Sequence, residues 1–123
     1  MDAMSKLSQN EVLTSHRQAS LQGTFNVPGD KSISHRSLIL GGLAVGITNV
    51  SGLLEGDDVM ATANAMRALG VEITRTDTGA WQIIGVGLHG LVSPEQPLDL
   101  GNSGTGVRLL MGVVAGQPIT ATF

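Results

Sequence analysis

Two glycine-containing segments carry the residues whose types and spacing are suited to binding an anion. Residues 28–36 read PGDKSISHR and residues 101–108 read GNSGTGVR. In each segment a glycine precedes a hydroxyl residue, and an arginine follows. Glycine lets the backbone approach a ligand closely, and arginine can hold a phosphate or carboxylate through two parallel hydrogen bonds. The chain has only seven basic residues, so their presence in two such segments predicts an anion site.

The first segment contributes Lys31, Ser32 and Arg36 as candidate ligand-binding residues. Ser32 and Arg36 are four residues apart, so they share one face of a helix, and Lys31 places an ammonium at the mouth of the same turn. The alternative to a ligand-binding turn is an ordinary helix start. The Walker A spacing of a nucleotide-binding loop is absent.

The second segment contributes Gly104, Thr105 and Arg108, again at a predicted helix start. The amino end of a helix presents amide hydrogens and the positive end of the helix dipole. Two such turns beside one sheet would converge on a ligand with more than one negative group. Alone, the glycines of this segment equally suit a tight turn.

The remaining polar residues are better explained by structure than by chemistry. His35 is expected to be structural, and Asp57 or Asp58 to cap a helix rather than form a catalytic carboxylate pair. Asp30 either caps the first helix or pairs with Lys31. The other two histidines are isolated and the chain lacks cysteine, so we expect no metal site.

Composition excludes several classes of protein. The 123 residues allow at most one ordinary domain. An apolar fraction of 41% with a net charge of −3 argues against disorder, and the absence of cysteine excludes a disulfide scaffold. An acidic chain with one tryptophan and two phenylalanines is poorly suited to nucleic acid. No apolar run could span a bilayer, and residues 1–20 lack a signal-peptide core, so we expect a cytoplasmic protein.

Helices and strands must position these segments. Beyond a polar arm at residues 1–20, the patterns predict the order β-α-β-α-β-β followed by β-α-β. This is an α/β or α+β layer structure with helices packed on a sheet. The first helix, beginning at Ser32 and ending before Gly46, would bury Ile33, Ser37, Leu40 and Ala44. The second would follow Asp57 or Asp58, and the third would span residues 105–115. The predicted strands are residues 21–27, 47–50, 71–74, 81–83, 98–100 and 119–123.

Residues 27–36 and 100–108 resemble the two signatures of the 5-enolpyruvylshikimate-3-phosphate synthase family. Residues 52–73, GLLEGDDVMATANAMRALGVEI, are also similar to this family, so the resemblance covers about residues 21–123. The sister family, UDP-N-acetylglucosamine enolpyruvyl transferase, has a Gly-Ala-Lys-Asn turn and usually a loop cysteine, whereas this chain has Gly-Asp-Lys-Ser and no cysteine. His35 and the GLLEGDDV run resemble bacterial class II forms, which tolerate glyphosate.

The resemblance implies a fold of repeated βαβαββ units, of which this chain would hold about one and a half. The first unit would span residues 21–97 and the second would begin at residues 98–123. The family's acid and base residues and its second domain would lie beyond residue 123, so the chain is expected to be an N-terminal fragment that needs the complementary C-terminal part.

The resemblance also implies an activity and a set of site residues. The family transfers the enolpyruvyl group of phosphoenolpyruvate to the 5-hydroxyl of shikimate 3-phosphate and releases phosphate, without an organic cofactor. This is the step of the shikimate pathway toward chorismate and the aromatic amino acids that glyphosate inhibits. The roles of the family's site residues are assigned here to the positions that match its two signatures. The resemblance then implies that catalytic Lys31 contacts both substrates and that Ser32 and Arg36 hold shikimate 3-phosphate. It also implies a phosphoenolpyruvate pocket lined by Asn102, Gly104, Thr105 and Arg108.

Two residues beside the second turn depart from the family pattern. Ser103 stands where alanine is common, and Leu109 where many relatives have proline. Both could alter how glyphosate is tolerated, whereas Gly104 is unchanged and leaves room for the inhibitor. Other functions remain open at this point: a non-catalytic phosphate- or anion-binding module, a relative of the sister transferase, or a purely structural fragment.

Overall fold

The computed structural model describes residues 14–17 and 20–123. Most of the predicted arm at residues 1–20 therefore lies outside the described residues. Three helices and three strands are present in this part of the chain. In chain order they are α1 (Lys31–Leu43), β1 (Val45–Val50), α2 (Asp57–Ala68), β2 (Glu72–Arg75), β3 (Trp81–Val86) and α3 (Gly104–Ala115).

The three strands form an antiparallel sheet in the order β1-β3-β2. Ile83 of β3 pairs with Thr48 of β1 on one side and with Ile73 of β2 on the other. The predicted turn between β2 and β3 is confirmed, because the Thr76 amide donates to the Ala80 carbonyl at 2.8 Å. The mixed helix and strand content agrees with the predicted fold class.

Within the described residues, the helices supply seven of the sixteen buried hydrophobic residues that form the apolar core against this sheet. Fully buried side chains come from α1, α2, β3 and α3, namely Leu38, Val59, Met66, Ile83 and Leu110. Helix α1 approaches the sheet closely through Gly41, where an added Cβ would lie 3.0 Å from Ile83 Cδ1. Every helix in the described ranges is too short or too polar to cross a bilayer.

The predicted buried face of α1 is wrong. Ile33 and Leu40 are 66% and 64% exposed, and the buried side instead carries Ser34, His35, Leu38, Ile39 and its two glycines. The buried side of α1 is the side that carries Gly41 and Gly42, because these two residues let the helix backbone come close to the sheet and to α2. The helix also ends at Leu43, and β1 already includes Gly46.

Three predicted strands are absent from the described part of the chain. Residues 21–27, 98–100 and 119–123 adopt no regular strand. A strand requires a hydrogen-bonded neighbour along its length, and Leu98 makes one such bond, from its amide to the Thr122 carbonyl at 2.8 Å. In residues 21–27 the apolar side chains are exposed, with Leu21 at 88% and Phe25 at 83%.

Candidate functional site

The start of α1 is fixed by its cap and by the loop before α2. Asp30 Oδ1 accepts a hydrogen bond from the Ile33 amide at 2.7 Å, so Asp30 is the helix cap and not the partner of Lys31. Ser34 Oγ donates to the Asp30 carbonyl at 2.7 Å and accepts from the Leu54 amide at 3.0 Å. The first turn of α1 and the loop at residues 51–56 are thereby held together.

Gly29 makes the close contact between these two segments possible. A Cβ at this position would lie 3.0 Å from the Leu54 amide nitrogen and would overlap the Gly52 carbonyl oxygen. Both obstacles are backbone atoms, which cannot turn away as a side chain can. The glycine is therefore required by its closeness to the loop backbone, whereas the role predicted for it was close approach to a bound anion.

Lys31, the first residue of α1, forms an ion pair with Asp58 in the first turn of α2. The Lys31 side chain is 52% exposed and the Asp58 side chain 22%. The residue at the cap position of α2 is Gly56, which has no side chain to bond. The prediction that Asp57 or Asp58 caps this helix is therefore wrong, although both occupy its first turn, where the helix dipole favours a negative charge.

Lys31 and Asn102 line one cavity of about 330 Å³. The cavity thus brings a candidate residue of the first segment together with one of the second, 71 positions later in the sequence. Its remaining lining comes from the loop before α2 and the start of that helix, namely Leu54, Gly56, Asp57, Asp58 and Val59. Within the described residues, the other site candidates do not line this cavity.

The start of α3 packs closely on α2. Ser103, which is 1% exposed, accepts a hydrogen bond from the Gly106 amide at 3.1 Å and caps the helix. A Cβ at Gly106 would lie 2.9 Å from Thr62 Oγ1 of α2. The glycine therefore allows the second segment to rest directly on the helix that carries Asp58.

The two arginines adopt the same arrangement at the two helix starts. Arg36 Nη1 donates to the Ser32 carbonyl and Arg108 Nη1 to the Gly104 carbonyl, each at 3.0 Å and each four residues back. Both side chains belong to exposed residues. Arg36 also lines a cavity of about 260 Å³ shared by α1 and α3. Ser32 and Thr105 are exposed beside their arginines.

His35 is buried and has a structural role, as expected. Its Nδ1 lies 2.8 Å from Thr62 Oγ1, and its Nε2 has no hydrogen-bond partner among the described residues. Burial lowers the pKa of His35 below its ordinary value of 6.5, and the nearby charge of Lys31 acts in the same direction. The imidazole is therefore neutral near neutral pH.

Sequence reasoning missed the contribution of α2 to this site. Asp58 was expected to be a cap, yet it pairs with Lys31 of α1, and the buried Thr62 contacts His35 of the same helix. No spacing signal within one sequence reveals which helices lie side by side. The caps also change the predicted chemistry, because Asp30 and Ser103 each take a helix amide hydrogen that we expected an anion to use. Each cap uses one first-turn amide, so the unused amides and the side-chain cations remain the candidate anion-binding groups.

The fold and the site define a protein of mixed helices and antiparallel strands, with two cationic turns at the starts of neighbouring helices. This combination matches a family of enolpyruvyl transferases. The family profile of EPSP synthase (3-phosphoshikimate 1-carboxyvinyltransferase) matches residues 16–123, and the chain belongs to that family.

Curated relatives and solved structures agree with this assignment. A 3-phosphoshikimate 1-carboxyvinyltransferase of Rhodopseudomonas palustris (strain BisB5) is 62% identical over 120 residues, which cover 98% of this chain and 27% of the relative. The corresponding Parvibaculum lavamentivorans protein is 62% identical over 90% of this chain and 25% of its own length. EPSP synthase from Acinetobacter baumannii superposes with a TM-score of 0.73 at 48% identity, covering 80% of this chain and 23% of that structure. The chain thus spans about a quarter of these enzymes and corresponds to their N-terminal part.

Proposed function

We propose that this chain forms part of the substrate-binding wall of an enolpyruvyl transferase, which moves the carboxyvinyl group of phosphoenolpyruvate to the 5-hydroxyl of shikimate 3-phosphate and releases phosphate. The observation that carries the proposal is the cavity shared by Lys31 and Asn102. It places an ammonium and an amide, one from each signature segment, beside the same space. The family membership of the chain supplies the reaction.

The charges near the two turns suit the substrates. Both substrates are polyanions, and charge-assisted hydrogen bonds from lysine and arginine are the strongest contacts available to phosphate and carboxylate groups. In the proposal, Lys31 contacts both substrates and Ser32 and Arg36 hold shikimate 3-phosphate. The phosphoenolpyruvate side is formed by Asn102, Gly104, Thr105 and Arg108.

Each arginine is already directed along its helix toward the first turn by its bond to the carbonyl four residues back. A guanidinium has five N–H donors, so this single bond is compatible with a second, bidentate contact to a ligand. Holding two anionic reactants in one orientation supplies a large share of the rate of a bimolecular reaction. Proton transfer to and from the reacting carbon needs acid and base groups, which the proposal assigns to the rest of the enzyme.

The proposal includes the domain organisation implied by the sequence. Residues 21–97 would form a first βαβαββ unit, residues 98–123 would begin a second, and the C-terminal part of the enzyme would be the partner that completes the site. The hydrogen bond between Leu98 and Thr122 brings the two ends of residues 98–123 together. The cytoplasmic location stays a prediction.

The test is an enzyme completed by joining this chain to the remaining residues of the Rhodopseudomonas palustris (strain BisB5) relative. Release of phosphate that depends on both substrates is expected from the joined protein. Lys31→Met should lower kcat/KM by about a thousandfold or more, because a charge-assisted contact to both substrates is lost in a step where electrostatics dominate. Lys6→Met is the matched control, since Lys6 is the only other lysine of the chain.

Two outcomes would contradict the proposal. One is a folded joined protein that binds neither substrate, while the intact relative is active in the same assay. The other is equal activity of the Lys31→Met and Lys6→Met variants. Binding of shikimate 3-phosphate without turnover would favour the anion-binding module over the enzyme.

A further inference from the structure

Asp58 stands in the candidate anion site although its charge opposes anion binding. Its carboxylate pairs with the Lys31 ammonium and lines the same cavity. A negative group at this place occupies the cation that phosphate would use. A purely attractive site would have no such residue, so its role needs an explanation beyond the substrate contacts proposed above.

The position of Asp58 is fixed by a second contact one helical turn deeper. Lys31 and Asp58 are 27 residues apart, and His35 and Thr62 are also 27 residues apart. Each pair joins α1 to α2, and the second follows the first by four residues on both helices. Because His35 and Thr62 are fully buried, they hold the two helices in the alignment that sets Asp58 opposite Lys31.

The hydrogen-bond directions of the deeper contact fix the backbone that carries Asp58. Thr62 Oγ1 donates to the carbonyl of Asp58 itself at 3.3 Å, so its lone pairs face His35. Because the one hydroxyl hydrogen of Thr62 is used in this way, the 2.8 Å contact with His35 requires the tautomer that carries its hydrogen on Nδ1. The Asp58 carbonyl is thus engaged within α2, and its carboxylate is the group that pairs with Lys31.

We propose that Asp58 is an internal counter-ion and a positioning residue for Lys31, which holds the ammonium at the cavity and weakens the binding of a lone phosphate there. This inference rests on the proposed function. A substrate with several anionic groups gains enough contacts elsewhere to share or displace the pair, whereas inorganic phosphate does not. Asp58 would thereby favour the polyanionic substrates over the phosphate that the reaction releases.

The experiment measures binding of inorganic phosphate to the completed enzyme by titration calorimetry at one ionic strength. Asp58→Asn should lower the dissociation constant for phosphate about fivefold, which is the size expected when a partly exposed ion pair is removed. Asp77→Asn is the matched control, because it makes the same change of side chain at a carboxylate that does not line this cavity. Asp77 is exposed in the turn between β2 and β3, so solvent screens it and the expected change is below about twofold.

Two further variants separate positioning from a general loss of charge. Asp58→Glu restores the carboxylate and should bring the phosphate affinity back to within about twofold of the parent enzyme. In a Lys31→Met background, Asp58→Asn should change the phosphate affinity little, because its partner is already absent. A melting curve for each variant establishes that the fold is retained.

Equal effects of Asp58→Asn and Asp77→Asn would overturn the inference. An effect of Asp58→Asn that persists in the Lys31→Met background would also overturn it. The same holds if Asp58→Asn fails to strengthen phosphate binding, which includes the case in which neither the parent enzyme nor the variant binds phosphate detectably. These results are distinct from failure of the proposed function, which is seen as absent turnover. Calorimetry reads phosphate binding whether or not the enzyme turns over.

Discussion

Thr62→Val isolates the buried contact that aligns α1 with α2. The substitution keeps the shape of the side chain and removes the hydroxyl that accepts the His35 Nδ1–H bond at 2.8 Å. His35 is 0% exposed and its Nε2 already has no partner among the described residues. A buried donor that loses its partner costs about 1–3 kcal/mol, and the longer bond to the Asp58 carbonyl at 3.3 Å adds little. We expect a loss of about 2 kcal/mol in the free energy of unfolding.

Urea unfolding of the 123-residue chain measures this loss. The single tryptophan, Trp81, is 6% exposed, so its emission reports unfolding. With a typical urea dependence for a small protein, a loss of about 2 kcal/mol lowers the midpoint by roughly 1 M. Thr74→Val is the control, because Thr74 is exposed on β2 and surface changes usually stay within about 0.5 kcal/mol.

A double variant tests the cause of the loss. Combining Thr62→Val with His35→Leu removes both polar partners, so the combined loss should be smaller than the sum of the two single losses by about 1 kcal/mol. Strict additivity, or equal midpoints for Thr62→Val and Thr74→Val, would refute the reasoning that this hydrogen bond holds the helices together.

Two further predictions follow from the packing and the titration of the chain. Gly29→Ala should lower the free energy of unfolding by about 2–3 kcal/mol, because its Cβ would meet the Gly52 and Leu54 backbone. Gly112→Ala, whose Cβ meets nothing within 4 Å in α3, should instead stabilise the chain by about 0.5–1 kcal/mol; the same urea assay compares them, and equal signs would contradict the packing argument. Stability should also fall as the pH drops below 6.5, because burial lowers the pKa of folded His35 and the unfolded chain binds the proton more readily. Below pH 4.5 a second loss is expected, because the pKa of Glu55 is lowered by its hydrogen bond from Arg75 and then by that from Trp81. His35→Leu should remove the first pH dependence and leave the second, which urea midpoints between pH 7.5 and pH 3.5 would show; an unchanged profile would exclude His35 as its source.

The sequence is informative where local chemistry decides the structure. The helix starts at the two signature segments and the β2–β3 turn depend on residues a few positions apart, and the sequence predicts them. The Asp30 cap is one of the two alternatives that the sequence left open. The buried face of α1 was not, because glycine adds nothing to a hydrophobic pattern although it permits the closest packing. The same limit applies to Asp58, whose partner Lys31 lies 27 residues earlier, and to strands such as residues 21–27, whose formation depends on a neighbour and not on their own composition.

The hydrogen bonds of the two arginines also affect the entropy of ligand binding. A free arginine side chain loses about 2 kcal/mol of rotamer freedom when it is immobilised. Arg36 and Arg108 are each already restrained by a bond to the carbonyl of their own helix, so part of this loss occurs during folding. The two guanidinium groups are therefore partly ordered before a ligand contacts them. Less side-chain entropy is lost when the ligand binds, so more of the contact energy appears as affinity.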